Sequence, residues 1–118
     1  MQIGPTFDFA GQCHFTDNLN NNVVLTKKVW DDHLAAKPDR QWYVYNWDEI
    51  KNALLTPDEK RRSKKDSNVV LWYKRVKRVW WNEGVSVPQE GYWCVVVRHS
   101  KHVMTVYFTQ EIKEGDSV

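Results

Sequence analysis

The feature that most constrains the fold is a pair of strand patterns near the end of the chain, separated by only two residues. Residues 92–99 and 102–109 are both rich in β-branched and aromatic side chains, which are typical of strands. Two residues are enough to join antiparallel strands only, so we expect a tight hairpin in which His99 pairs with His102. This register fixes the direction of every side chain in both strands, because side chains alternate between the two faces of a sheet.

The alternation predicts two faces of different chemistry. The apolar face is expected to carry Trp93, Val95, Val97, Met104, Val106 and Phe108. The opposite face, called the polar face below, is expected to carry Cys94, Val96, Arg98, Thr105, Tyr107 and Thr109. Hydroxyl and guanidinium groups on rigid strands can hold a phosphate through several hydrogen bonds. The alternative is a solvated sheet face, because Thr and Tyr are also simply good strand formers.

Two further strands and two helices are predicted upstream of the hairpin. A strand is expected at 69–79, preceded by a short charged edge strand at 60–64, and residues 80–91 are expected to form a loop. A helix is predicted from Thr26 as N-cap to about Lys37, where Pro38 stops it, and a second helix follows Asn46 as N-cap. Its apolar side is expected to carry Trp47, Ile50, Ala53 and Leu54. Residues 39–45 fit a short strand or an ordered loop.

These elements predict an α+β fold, with the N-terminal helices packed on one face of a roughly four-stranded antiparallel β-sheet. The length of 118 residues fits a single domain. We find no export signal and no apolar run long enough for a membrane span, so a soluble, cytoplasmic protein is expected. The two cysteines, Cys13 and Cys94, are accordingly expected to be reduced thiols.

Positive charge is concentrated between Lys60 and Arg78. This stretch holds nine Lys and Arg residues and one acid, Asp66, although the whole chain has a net charge of only +2. Such a local positive field favours a polyanion, and aromatic residues such as Trp80 and Trp81 follow the charges, as in proteins that bind single-stranded nucleic acid. The alternative is that the charged residues keep an exposed sheet edge soluble and that the aromatic side chains pack in the core.

One histidine stands out as a candidate for proton transfer. His33 lies beside the apolar stripe of the first predicted helix, and imidazole titrates near neutrality. The alternative is a half-buried histidine bonded to a neighbour. A zinc site built from His99 and His102 is disfavoured, because Cys94 points to the opposite face and no C-x-x-C or H-E-x-x-H pattern is present. No metal or other cofactor is therefore expected.

Several short motifs resemble those of a nuclease group. They read, in order, VWDDHLAAKPD, TPDEKRRSKKDSNVVLWYKR, YWCVVV and HVMTVYFTQEIKEG. Together they resemble the phage-associated branch of the barnase/EndoU/colicin/RelE-like (BECR-fold) nucleases over residues 23–115. The resemblance implies a single BECR-like domain and a metal-independent ribonuclease of the kind found in toxins and phage conflict. It also implies RNA, including tRNA, as substrate, and an antitoxin or immunity protein as partner.

Carried over by position, the resemblance brings a set of side chains around one cleft. The implied catalytic residues are His33, Arg62, Thr105, Tyr107 and Thr109. The implied substrate-binding residues are Ser63, Tyr73 and Arg75. Arg98 of the polar face and Lys64 and Lys65 of the basic stretch are added to them because of their charge. The chain departs from the family pattern at Lys37, where a second histidine is expected.

The expected chemistry is attack of a ribose 2′-hydroxyl on its adjacent phosphate, with an imidazole as base or acid, arginines as phosphate clamps and Tyr107 as a positioning or proton-donating phenol. Two other functions fit the same residues. One is a nucleic-acid-binding module without turnover, and the other is a protein-interaction domain that uses exposed members of the seven tryptophans.

Overall fold

A computed structural model describes residues 3–38, 40–112 and 115–118. The strands in this part of the chain are β1 Gln12–Thr16, β2 Asn22–Thr26, β3 Glu59–Arg62, β4 Val69–Asn82, β5 Val85–Arg98, β6 His102–Thr109 and the two-residue β7 Asp116–Ser117. The helices are α1 Lys27–Val29, continued by a π-helical turn at Trp30–Leu34, then α2 Arg40–Tyr45 and α3 Trp47–Leu55. No helix among the described residues has the length and apolar character that crossing a membrane requires.

The predicted fold class is wrong, because the structure is mostly sheet. Its strands form one curled, mixed sheet in the order β1-β2-β6-β5-β4-β3-β7, accompanied by three short helical segments. The N-terminal strands β1 and β2 form a hairpin that extends the sheet, and β2 runs parallel to β6 where Val24 pairs with His102. Phe15, Val23 and Leu25 of this hairpin are buried in the main core, so apolar burial holds these short strands in place.

The two predicted helix starts are found, but only one of them has the predicted side-chain cap. Thr26 Oγ1 accepts a hydrogen bond from the Val29 amide at 3.2 Å, so the predicted N-cap of α1 is confirmed. The regular helical turns end at Leu34, a little before the predicted end at Lys37. Residue Asn46 precedes α3 as predicted, but its side chain makes no capping bond to that helix. The predicted apolar side of α3 is confirmed, since all four of its residues are buried.

Residues 40–45 are helical, whereas a strand or loop was predicted. Local propensity points toward a strand there because of the run of aromatic and β-branched residues. In the folded chain, Tyr43 is buried with its ring edge-on to Trp93, at a centroid distance of 5.8 Å. The ammonium group of Lys37 lies over the other side of this ring, 5.7 Å from its centroid. These tertiary contacts outweigh the local preference.

The predicted register of the C-terminal hairpin is confirmed over most of its length. Pairs from Tyr92 with Thr109 to Val96 with Thr105 are as expected. The register is wrong at the turn, where Arg98 instead of His99 pairs with His102. The connection is one residue longer than predicted, with positive φ at His99 and Ser100, and an irregularity in β6 absorbs the difference.

The irregularity in β6 also exchanges two side chains between the faces of the sheet. Val103 is buried in the main core, whereas Met104, which was predicted to be core, is 39% exposed. The other predicted members of the apolar face all contribute to this core, namely Trp93, Val95, Val97, Val106 and Phe108.

Residues 80–91, predicted as a loop, belong largely to strands. β4 and β5 are 14 residues each and pair as far as Asn82 with Val85, so the turn is confined to Glu83 and Gly84. Pro88 is tolerated because it lies beside a register shift, where the ladder is already interrupted. We call residues 75–91 of this long hairpin the arm.

Gly91 lets the arm pack closely against β6. A Cβ atom at this position would overlap the Phe108 ring and lie 2.8 Å from the carbonyl oxygen of Thr109. We therefore expect Gly91→Ala to lower the free energy of unfolding by about 1–3 kcal/mol through overpacking, measured by chemical denaturation. Phe108→Leu should relieve part of the loss in the double variant, and fully additive single effects would contradict this explanation.

Candidate functional site

The polar face is buried at its centre. Tyr73 of β4 and Cys94 of β5 are fully buried, and Tyr107 of β6 lies beside Cys94 in the ladder. Burial, followed by interactions with Cys94 and Tyr73, raises the pKa of the Tyr107 phenol far above its usual range. The phenol therefore keeps its proton at neutral pH and takes part in a hydrogen-bonded inner layer. Neither Cys13 nor Cys94 forms a disulfide, so the predicted thiol state of both is confirmed.

The two threonines of this face lie along the same strand as Tyr107. Thr105 is half-buried and pairs with Val96. The Thr109 hydroxyl donates to the carbonyl oxygen of Glu111 at 2.9 Å and accepts from the Glu111 amide at 3.3 Å. Thr109 therefore braces the chain where β6 ends.

The predicted phosphate-binding residues near Arg62 lie at one end of the sheet, in residues 62–68, which we call the basic loop and which begin with the last residue of β3. Arg62 Nη1 donates to the carbonyl oxygen of Ser67 at 3.0 Å, and the Ser63 hydroxyl accepts from the Lys65 amide at 3.2 Å. The side chains of Lys64 and Lys65 are exposed. A backbone bond of 2.8 Å from the His99 amide to the Asn68 carbonyl oxygen joins this loop to the β5–β6 turn.

Beside that turn, two histidines and an arginine from distant parts of the chain line one groove of about 320 Å³, which we call the imidazole groove. Its lining residues are Val24, Thr26, Val29, His33, Arg98, His102, Val103 and Met104. Two imidazoles and a guanidinium thus share a recess whose remaining walls are mostly apolar. These groups together offer several N–H donors to a bound anion.

The local fold explains why these side chains meet. Leu34 is fully buried, which anchors the π-helical turn to the core and leaves the preceding residue, His33, exposed at the groove. On the other side, Arg98 and His102 pair directly across the hairpin, so their side chains project from the same face. The parallel contact between Val24 and His102 brings the two sides together.

Arg98 is oriented by an acid from the basic loop. Its Nη2 atom lies 3.5 Å from Oδ2 of Asp66, and both side chains remain largely exposed to solvent. Such an ion pair is worth little for stability, because solvent screens it. It does hold the guanidinium at the rim of the imidazole groove, where its other N–H groups can bind a ligand.

Of the sequence-predicted site residues, His33 and Arg98 line the imidazole groove together. The others lie elsewhere. Thr105, Tyr107 and Thr109 lie farther along the polar face from Arg98, with Tyr73 beside them on β4. Arg62, Ser63, Lys64 and Lys65 belong to the basic loop, and Arg75 belongs to the arm. None of these nine residues lines the groove.

Sequence reasoning did not include His102 in the catalytic set. This histidine was expected only as a hairpin partner and a disfavoured zinc ligand. The parallel β2–β6 contact that brings it near His33 has no signal in the sequence around either strand. The position expected to hold a second histidine, Lys37, has a packing role instead. Its ammonium donates to the Val106 carbonyl oxygen at 3.4 Å and contacts the Tyr43 ring.

The remaining possibilities for a site are limited in the described chain. His14 is bonded to Asp8 at 2.8 Å and to Asn22, and the bond to Asp8 raises the pKa of its imidazole. Within residues 3–38, 40–112 and 115–118, no group of three or more His, Cys, Asp or Glu residues is arranged to hold a metal ion.

Comparisons of the chain with protein-family models, curated proteins and solved structures found no match. The resemblance to BECR-fold nucleases therefore depends on the short motifs alone. The function has to be inferred from the geometry and chemistry of the groove itself.

Proposed function

We propose that this protein is a metal-independent endoribonuclease that cleaves RNA in the imidazole groove. The observation that carries the proposal is that His33, His102 and Arg98 line one groove. Two imidazoles and a fixed positive charge are the minimal set of groups for cleavage of RNA by its own 2′-hydroxyl.

In the proposed reaction, the neutral imidazole of one histidine takes the proton of the 2′-hydroxyl as its oxygen attacks the phosphorus. The protonated imidazole of the other histidine gives its proton to the departing 5′-oxygen as the P–O bond breaks. The products are a 2′,3′-cyclic phosphate and a free 5′-hydroxyl, so no water or redox partner is consumed. Arg98 stabilises the charge that develops on the phosphoryl oxygens.

The surroundings of the groove suit an RNA substrate. The apolar side chains of Val103 and Met104 offer a surface for a base or ribose, and the basic loop supplies exposed Lys64 and Lys65 for neighbouring phosphates. The proposal includes tRNA among the RNAs cleaved and an inhibitor protein as partner, as the resemblance implies. It also includes the cytoplasmic location expected from the sequence. Two cysteines that form no disulfide accord with that location.

The test is to incubate the protein with RNA in excess EDTA and to analyse the ends of the products. We expect cleavage that yields 2′,3′-cyclic phosphates, and we expect Arg98→Ala to lower the rate by about 100-fold, as loss of one charge-stabilising donor does in other enzymes. Lys51→Ala is the matched control. This lysine of α3 lines a different part of the surface, so the variant should cleave RNA at the normal rate.

Other results would reject the nuclease. Salt-sensitive RNA binding without any cleavage would indicate a non-catalytic nucleic-acid-binding module instead. Failure to bind RNA even at low salt would indicate a protein-interaction domain. Cleavage that stops when EDTA is added would contradict the metal-independent mechanism.

A further inference from the structure

The arm carries a second groove, which the proposed reaction does not use. This arm groove has a volume of about 270 Å³ and lies between α3 and the base of the arm. Its lining residues are Glu49, Arg75, Val76, Lys77, Arg78 and Trp80. Three cations and an indole ring therefore surround one recess, with a single carboxylate among the lining residues.

The three cations of the arm groove are available to a ligand. In the part of the chain that the structure describes, no carboxylate lies within 4.0 Å of the charged nitrogens of Arg75, Lys77 or Arg78. By contrast, Lys74 and Arg61 nearby are paired with Asp58 and Glu59. Unpaired cations at adjacent positions repel one another, and a bound polyanion would relieve that repulsion.

One side chain of the groove, Arg78, and the backbone of another lining residue, Trp80, are held in defined positions. Arg78 Nε donates to the Ser86 hydroxyl at 2.9 Å, which fixes the guanidinium across the hairpin and leaves N–H groups for a phosphate. The backbone of Trp80 is bonded on both its N–H and its C=O to the side chain of the buried Asn46. Preorganised groups lose little freedom on binding, which favours affinity.

From this geometry we infer that the arm groove is a second RNA-binding site, specific for single-stranded RNA. The arginines and Lys77 would bind phosphates, and an unpaired base would stack on the partly exposed Trp80 ring. The inference rests on the proposed function in one respect, namely that RNA is the ligand. An acidic protein segment could form ion pairs with the three cations, but it has no base to stack on the Trp80 ring.

The distance between the two grooves gives the inference a measurable consequence. Arg75 and Arg78 are six and nine residues along β4 from Val69, which pairs with Arg98, so the grooves are at most roughly 20–30 Å apart along the hairpin. A dinucleotide can occupy only one groove. A single strand of about twenty nucleotides, at roughly 3.4 Å per stacked nucleotide, is long enough to reach both.

The experiment measures, by fluorescence anisotropy, the binding of a 2′-O-methyl single strand of about twenty nucleotides, which lacks the attacking hydroxyl and cannot be cleaved. Cleavage of an RNA dinucleotide is measured in parallel. The variants are Arg78→Ala and Trp80→Leu, with Lys51→Ala as control. We expect each arm variant to raise the Kd for the long strand by about 5- to 100-fold. Dinucleotide cleavage should be unchanged, and Trp80→Leu should not affect binding of duplex RNA of the same length.

A gain of affinity provides a second test that does not depend on a disruptive variant. Glu49→Gln removes the carboxylate of the arm groove and should lower the Kd for the long strand several-fold. Circular dichroism and denaturation should show that all variants are folded.

The outcomes separate this inference from the nuclease proposal. Unchanged Kd values in both arm variants would overturn the inference, even if the wild type cleaves the dinucleotide. Displacement of the long strand from the wild type by polyglutamate of equal charge, with no effect of Trp80→Leu, would also overturn it and favour an acidic protein. Loss of binding in the arm variants of a protein that does not cleave would support the arm site and reject the nuclease.

Discussion

Replacing His33 or His102 with alanine should lower the rate of RNA cleavage by about 10²–10⁴-fold without unfolding the protein. Both side chains are exposed at the imidazole groove, so their removal creates no buried cavity. Each variant would lose one of the two proton transfers, and general acid or base catalysis contributes that factor. The measurement is single-turnover cleavage of an RNA dinucleotide, with circular dichroism to establish the fold.

The double variant His33→Ala/His102→Ala should be little slower than either single variant, because the two imidazoles act as a unit. The rate of the wild type should depend on pH as a bell, since one imidazole must be neutral while the other is protonated. His99→Asn is the matched control. It removes a neighbouring imidazole outside the groove and keeps a residue that tolerates the positive φ at this position.

A different set of variant activities would indicate that cleavage takes place at the site implied by the sequence resemblance. If Tyr107→Phe abolished cleavage while His102→Ala retained it, the reaction would take place on the polar face. We expect Tyr107→Phe to cleave at a near-normal rate instead, because its phenol belongs to a hydrogen-bonded inner layer with Cys94 and Tyr73.

The parts of the fold that were predictable are those with a strong local signal. The register from Tyr92–Thr109 to Val96–Thr105 was predicted from a two-residue turn between His99 and His102. It is correct away from the turn, where burial of one face restricts the pairing. The apolar side of α3 followed from helical periodicity in the same way. Both patterns depend on residues close together in the chain.

The parts that were missed depend on contacts between distant segments. The strand β2 is only five residues long, and its place beside β6 follows from burial of Val23 and Leu25 in a core built mainly by later strands. The extension of β4 and β5 into the arm was hidden by Gly84 and Pro88, which are loop signals in most contexts.

The candidate site shows the same division. His33 was recognisable from its chemistry and its place on a helix, and Arg98 from its place on a strand. Their meeting with His102 required the β2–β6 contact, which is non-local. The polar face was expected to bind a phosphate because it carries the hydroxyl groups of Thr and Tyr. In the folded chain, Tyr73 is instead fully buried and Thr109 braces a strand end.

Asn46→Ala should lower the free energy of unfolding by about 2–4 kcal/mol, which is a large fraction of the stability of a small domain. Asn46 is only 2% exposed. Its amide group donates to the carbonyl oxygens of Trp42, at 2.7 Å, and Trp80, and its side-chain oxygen accepts from the Trp80 amide at 2.8 Å. Alanine would leave the Trp80 backbone groups without these partners in a region shielded from water.

Chemical denaturation of Asn46→Ala and of the control Asn52→Ala measures this effect. Asn52 lies within α3, which Asn46 precedes, and it is only partly buried, so its truncation should change the stability by less than about 0.5 kcal/mol. Equal losses in the two variants would show that the effect of Asn46→Ala does not come from its bonds to Trp80. Because the bonds to Trp80 join the start of α3 to the base of the arm, Asn46→Ala should also weaken binding of the long single strand while sparing dinucleotide cleavage. A loss of stability without any change in that binding would show that the arm groove binds the strand equally well without the Asn46 bonds to the Trp80 backbone.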